Sequence, residues 1–268
     1  MLKTFPYRGI PVSYRITGSG QPVVLLHGFG EDSHIFDRQL NDLRPHCRLI
    51  LPDLPGSGLS PDNPEGNTIE FYAHCIHALL QYEEITRCLM LGHSMGGYIT
   101  LCIGERYPEL LKGFGLLHSS ALADSPEKKE MRRKGIQFMQ RNGAFPFLEA
   151  SIPNLMTESF REANPQAVAS LIEEARHFTA AACCNYYEAM MQRPDRTHVL
   201  KSNHVPVLFV MGGKDGVIPV SDMEQQTRLP ECPYIHILEN AAHMGMWEAT
   251  ETFNSHLLNY IVACRHTE

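Results

Sequence analysis

The chain has 268 residues, 43% hydrophobic and 20% charged, which is enough apolar sequence for a large core and too little charge for a disordered polyelectrolyte. A formal net charge of -7 excludes nucleic acid as the main partner, because neutralising a phosphate backbone takes clustered Lys and Arg. No apolar run approaches the roughly 20 residues of a membrane span, so no membrane partner is expected.

The first residues, MLKTFPYRGI, lack the apolar region of a secretory signal and run into strand-like sequence. Residues 12–17 (VSYRIT) alternate in character, as a half-buried strand does. Residues 22–28 (PVVLLHG) form a short continuous apolar run, read as a strand covered on both faces. A second such run ends at Pro52, and the DLPGSG that follows makes Asp53 a turn former. Within the predicted helix that comes next, His74 and His77 are three apart, but no third ligand accompanies them and no metal is expected. RCLMLGHS is another buried strand, YITLCIGERYP a helix ending before Pro108, and KGFGLLHSS a further strand. Strands alternating with helices imply βαβ units and a mainly parallel sheet.

After Ser120 the rhythm changes. Ser125 is a predicted N-cap, Pro126 fits the first helical position, and Asn142-Gly143 is a stop. The basic run KKEMRRK at 128–134 reads as the solvated face of this helix. Helical sequence continues to about Gln192, and no buried-strand run occurs between 121 and 203. Strands return with VPVLFVMGG and YIHILEN, and residues 246–265 read as a closing amphipathic helix. The eight cysteines include no Cys-x-x-Cys. Cys88, Cys102 and Cys264 lie on apolar stretches, and the adjacent Cys183 and Cys184 carry no redox signature, so reduced thiols and a cytoplasmic protein are expected.

Gly92-His93-Ser94-Met95-Gly96 has the form Gly-x-Ser-x-Gly and lies between a buried strand and a helix. A serine there takes strained backbone angles, and small neighbours two residues away let strand and helix approach. Its hydroxyl needs a base, and the base an orienting group. His243 lies in the loop after the last predicted strand, and Asp215 in the loop after the preceding one. Both loops emerge at the edge that carries Ser94, and the chain order Ser, Asp, His suits this arrangement. Asp124, near the end of the strand after the Ser94 helix, is the alternative acid, but a surface role is expected for it. His93 is read as a packing residue or modest polar contact.

With these motifs in place, the sequence resembles α/β-hydrolase fold enzymes that carry a helical cap. The resemblance rests on HGFG at 27–30, DLPGSG at 53–58, GHSMGG at 92–97, GGKDGVIP at 212–219 and AAHMGMWE at 241–248. It covers nearly the whole chain outside 121–203. It implies an α/β fold with a mainly parallel eight-stranded sheet flanked by helices, a core of residues 1–120 and 204–268, and a helical cap of residues 121–203. Within the family the chain is similar to small carboxylesterases and enol-lactonases. Carbon–carbon bond hydrolases and cofactor-free haloperoxidases share the motifs. The resemblance also implies an oxyanion hole made by the Phe29 and Met95 N–H groups, with the Phe29 side chain lining an acyl pocket, His27 bracing the turn and Trp247 able to reach the substrate.

The expected reaction is hydrolysis of a small-molecule ester or lactone through an acyl-enzyme. Ser94 attacks, His243 is the base and Asp215 its orienting group, with no metal and no cofactor. Activity is expected to rise with pH as His243 loses its proton. A carbon–carbon hydrolase using the same residues, and a hydrolase-fold ligand receptor with little turnover, are the alternatives. A mostly apolar insertion suggests an apolar acyl group of medium size.

Overall fold

The computed structural model describes residues 1–64 and 67–266. Eight strands build one sheet: β1 (Leu2–Tyr7), β2 (Ile10–Thr17), β3 (Pro22–Leu26), β4 (Arg48–Pro52), β5 (Cys88–His93), β6 (Leu111–Leu117), β7 (Val207–Gly212) and β8 (Pro233–Leu238). Their order is β1-β2-β4-β3-β5-β6-β7-β8. The pairs β1/β2 and β2/β4 are antiparallel and the other five parallel. Every residue of β5 and β7 is buried, as in parallel strands covered on both faces. The alternation expected in 12–17 is absent, because Val12, Ser13 and Tyr14 are all buried. The stretch from Asp53 to Ser60 meets this strand at Ser13: Asp53 N–H donates to Ser13 O, and Ser13 N–H donates to Ser60 Oγ at 2.8 Å. The edge strand β1 carries Pro6, opposite Pro11, where a lost ladder donor matters least.

Four helices pack on the sheet in the first half of the chain and its close. They are α1 (Asp37–Leu43), α2 (Ile69–Tyr82), α3 (Met95–Arg106) and, at the end, Thr250–Ala263. Thr68 caps α2 by accepting from Phe71 N–H, an interaction that contributes about 1 kcal/mol. Between β6 and β7 the chain is helical, with no strand among the described residues. This insertion comprises α4 (Pro126–Asn142), α5 (Ala144–Ser151), a 3₁₀ turn at Ile152–Leu155, α6 (Glu158–Ala163), α7 (Pro165–Glu174), α8 (Ala180–Gln192) and α9 (Thr197–Ser202). Ser125 accepts from Lys128 N–H at the head of α4, and Gly143 ends it at φ 86°. Short helices at Val220–Met223 (α10) and Gly245–Glu248 (α11) precede the closing helix, α12 (Thr250–Ala263).

Two expectations about the insertion need correction. Asp124 is not a surface residue: it is buried, with Oδ2 2.6 Å from Arg132 Nε and Oδ1 2.9 Å from Arg193 Nη1. A carboxylate so deep requires such partners, since desolvation of an unpaired charge costs several kcal/mol. Arg132 is correspondingly not on a solvated face. It shares the inward stripe of α4 with Gly135, Ile136 and Met139. Among the described residues no helix is long and apolar enough to cross a membrane.

Candidate active site

The chain turns from β5 into α3 at Ser94, whose backbone sits at φ 49° and ψ -114°. A side-chain-bearing residue held there stores on the order of 1–3 kcal/mol, which the flanking structure must impose. It does so by close approach. A Cβ on Gly92 would lie 2.2 Å from the Gly96 carbonyl, and one on Gly96 would lie 2.2 Å from Leu26 O. Ser94 N–H donates to Leu117 O, and Ser119 Oγ–H donates to Ser94 O at 2.7 Å, so β6 holds the corner from the far side. Met95 opens α3, so its N–H is one of those without a partner inside the helix, at the positive end of the helix dipole.

The HGFG turn lies beside this corner. A Cβ on Gly28 would be 3.1 Å from Ser94 Cβ. His27 Nε2 accepts from Leu54 N–H at 3.0 Å, which braces the turn. Asp53 is buried and accepts from Ser33 and Leu59 N–H groups, a clamp rather than a reactive group. The Phe29 ring packs against Tyr187 at a centroid distance of 4.4 Å.

Asp215 and His243 meet behind the corner. Asp215 Oδ1 accepts from the Val217 and Ile218 N–H groups at 2.8 and 2.9 Å, and Oδ2 accepts from His243 Nδ1 at 2.8 Å. Burial raises the Asp215 pKa, but the neighbouring His243 and His118 more than reverse this and hold it well below the usual carboxylate range. Asp215 therefore stays ionised, and it fixes the hydrogen of neutral His243 on Nδ1, leaving Nε2 as the basic nitrogen.

A second imidazole faces the same oxygen. His118, at the end of β6, is buried at φ 48°, with Nδ1 3.4 Å from Asp215 Oδ2. Among the described residues neither of its ring nitrogens has a hydrogen-bond partner. Burial pushes its pKa down to about 4. The unfolded chain, with an ordinary histidine near 6.5, binds more protons than the folded one between those values. The contribution is therefore complete above pH 6.5 and is lost as pH falls towards 4, by roughly 3 kcal/mol. His93 has the opposite sign, because its raised value favours the fold below pH 6.5. The expected result is that Tm of the His118→Asn variant falls less than wild type between pH 6.5 and 4. Parallel curves would show that His118 does not titrate on unfolding.

Three further residues hold these parts together. Glu31 is buried, and its Oε2 accepts from Gly28 N–H at 2.7 Å and from His93 Nδ1 at 2.9 Å. His93 Nε2 in turn donates to the His243 carbonyl at 3.0 Å. Both ring nitrogens of His93 thus face acceptors, which requires the doubly protonated imidazolium. Burial opposes that charge, but Glu31 more than offsets it and raises the His93 pKa. For Glu31, burial likewise acts upward and His93 reverses it, so the carboxyl is lowered and the pair is ionic. Of the two readings of His93, packing residue or modest polar contact, the structure shows the polar one, as an ion pair with Glu31 and a hydrogen bond to the His243 carbonyl. Glu248 Oε1 accepts from Ala242 and Met244 N–H groups on either side of His243, and its Oε2 accepts from Thr157 N–H and Oγ1–H in the insertion. His243 N–H donates to Leu155 O, a second tie to the insertion.

Next to Phe29 lies a pocket with apolar walls that include Ile35, Ile152, Leu171, Phe178 and Met244, and with Asp32 and Glu174 among its lining. Trp247 is not part of that lining. It stands behind the wall, donating its indole N–H to Ile35 O while Arg38 lies 4.0 Å above its ring. His118, Asp215 and His243 place ligand-type atoms within 4.8 Å of one another, but the Asp215–His243 hydrogen bond engages the atoms a cation would need. His77 stacks on Tyr107 at 3.8 Å.

The sequence pointed to Ser94, Met95, Phe29, Asp215 and His243, and the structure gathers them at one edge of the sheet. It did not point to Glu31, His118 or Glu248. Glu31 and Glu248 stand within or beside motif stretches, and a charged residue next to a glycine-rich turn was the available signal.

Comparison with known proteins places these features in context. A family model described as the alpha/beta hydrolase fold matches residues 21–250. The dihydrolipoyllysine-residue acetyltransferase component of an acetoin cleaving system from Pseudomonas putida is 28% identical over 246 residues, 90% of this chain, and the chain spans 64% of that relative's length. A 2-hydroxy-6-oxononadienedioate/2-hydroxy-6-oxononatrienedioate hydrolase from Paraburkholderia phymatum is 26% identical over 266 residues, covering 93% of this chain and 90% of the relative. Among solved structures, a thermophilic esterase from Thermogutta terrifontis matches with a TM-score of 0.91 at 28% identity, covering 98% of this chain and 97% of its own.

Proposed function

The chain belongs to the alpha/beta hydrolase fold family, and on that premise we propose that it is a serine hydrolase that cleaves a carboxylic ester or lactone through an acyl-enzyme. The observation that carries this reading is the strained Ser94 corner beside the HGFG turn, with an ionised Asp215 orienting His243 at the same edge.

Ser94 Oγ attacks the substrate carbonyl while His243 Nε2 takes its proton. The imidazolium that forms is stabilised by Asp215 Oδ2 and then protonates the leaving oxygen. Charge that collects on the carbonyl oxygen is met by the Phe29 and Met95 N–H groups, each contributing roughly 2.7–4 kcal/mol to lowering the barrier. Water, deprotonated by His243, then releases the acid and restores Ser94. The Phe29 side chain and the apolar pocket beside it receive the apolar part of the substrate. Residues 121–203 act as the cap over this site. Glu248 and Leu155 tie the cap to the loop that carries His243, so cap position and base position are coupled.

The name of the Paraburkholderia relative favours one second reading, cleavage of a carbon–carbon bond by the same residues. A panel of p-nitrophenyl esters from acetate to octanoate, run beside a vinylogous diketone, separates the two. Ester turnover that rises beyond acetate, with the diketone left intact, is the expected result. Rates that fall steadily from acetate upward would contradict an apolar wall along the acyl chain. Diketone cleavage with negligible ester turnover would overturn the ester reading.

A further inference from the structure

Arg132 belongs to a basic run, yet it turns inward on α4. Its Nε donates to Asp124 Oδ2 at 2.6 Å, and Arg193 approaches the other oxygen of the same carboxylate. Two guanidinium groups share one buried acid, so one positive charge is left over. Arg193 commits its Nη groups to the Met190 and Leu122 carbonyls. The Nη groups of Arg132 donate no hydrogen bond among the described residues, and 16% of its side chain remains accessible.

Aromatic rings connect this charge to the candidate site. The Arg132 guanidinium carbon lies 5.0 Å from the Tyr187 ring centroid, and that ring lies 4.4 Å from Phe29. Tyr98, another neighbour of Arg132, follows Ser94 by one turn of α3. Helical side chains lean towards the N-terminus, so Tyr98 leans back towards Ser94. One turn before Arg132, Lys128 Nζ donates to Val217 O, in the loop that carries Asp215. The first turn of α4 thus touches the loop that carries Asp215.

We propose that Arg132 binds a carboxylate of the substrate, so that the preferred ester or lactone has an acyl chain ending in a carboxylate. A guanidinium with both Nη groups open presents the fork that matches a carboxylate, and the unbalanced charge is a reason for an anion to settle there. The pocket beside Phe29 does not have Arg132 in its lining and has Glu31, Asp32 and Glu174 there, which disfavours an anion in it. The acyl chain that ends in a carboxylate is thereby directed towards Arg132, and the pocket lined by Asp32 and Glu174 is left to an apolar part of the substrate.

The rate test of this inference rests on the hydrolase reading, and the binding test does not. Two esters with five-carbon acyl chains are compared: p-nitrophenyl pentanoate and the mono-p-nitrophenyl ester of glutaric acid. Wild type is expected to favour the glutarate ester. Arg132→Met is expected to lower kcat/KM for that ester by roughly 10- to 100-fold, mainly through KM, and to change the pentanoate by less than about threefold. Arg132→Lys restores part of the loss. Asp124 keeps Arg193 in both variants, so the buried acid stays neutralised. Equal losses on both esters, or a wild-type preference for pentanoate, would overturn the inference and leave Arg132 a structural partner of Asp124. The second measurement is calorimetric binding of glutarate to the Ser94→Ala protein, expected to be saturable and lost on adding Arg132→Met. Arg132-dependent binding without any ester turnover would sink the ester-hydrolase reading alone. Turnover with no Arg132-dependent binding would sink this inference alone.

Discussion

Asp215→Asn is expected to lower kcat by about 10⁴-fold while leaving the fold intact, the size of effect seen when a triad histidine is held in the wrong tautomer. The reason lies in how the two carboxylate oxygens are used. Oδ1 accepts from two backbone N–H groups, Val217 and Ile218, and Oδ2 faces His243. An asparagine keeps both backbone bonds only if its oxygen takes the Oδ1 place. Its NH₂ group then faces His243 Nδ1 and donates to it. That moves the histidine's hydrogen to Nε2, the nitrogen that must accept the Ser94 proton. Steady-state kinetics beside a thermal melt check this. A loss below about tenfold would show that Asp215 does not set the tautomer.

The second large effect is on stability. Glu31→Ala removes the partner of a buried imidazolium and leaves Gly28 N–H without its acceptor. Breaking one side of a buried ion pair costs roughly 3–5 kcal/mol. For a chain of this size that corresponds to a fall in Tm of roughly 6–20 °C. Glu31→Gln keeps the shape and removes the charge, so it tests the site without the same loss of fold. His93 then holds only one ring hydrogen and can no longer donate both to residue 31 and to the His243 carbonyl. The HGFG turn and the His243 loop lose their common anchor, and a displacement of about 1 Å in either is enough for a fall of roughly 10²-fold in kcat. A Glu31→Ala protein that melts with wild type would show that the pair is not ionic.

How much of this was open to sequence reading follows from the distance over which each residue acts. The Ser94 corner was legible because its cause is local: Gly92 and Gly96 are required within two residues of the strained position. Asp215 and His243 were legible because a parallel sheet sends the loops after β7 and β8 to one edge, and strand order can be read from apolar runs. Glu31 was not, since its partner His93 is 62 residues away and nothing in ED after HGFG announces an ion pair. His118 follows an apolar strand run and looked like its polar end, while its contact with Asp215 exists only once β6 and β7 are paired. Asp124 and Arg132 were misread for the same reason. A charged helix start normally faces water, and only the return of the chain at Arg193 closes the pocket around the acid. The half-buried alternation expected of β2 failed at Ser13, whose backbone is bonded to Asp53 and Ser60, residues far along the chain.

The most direct test of the account is hydrolysis of p-nitrophenyl butyrate by wild type and Ser94→Ala, with a fluorophosphonate label applied to both. Turnover and labelling are expected in wild type and are expected to vanish together in Ser94→Ala. A Ser94→Ala protein that still labels and turns over, or a folded wild type that does neither, would contradict the assignment of Ser94 as the nucleophile.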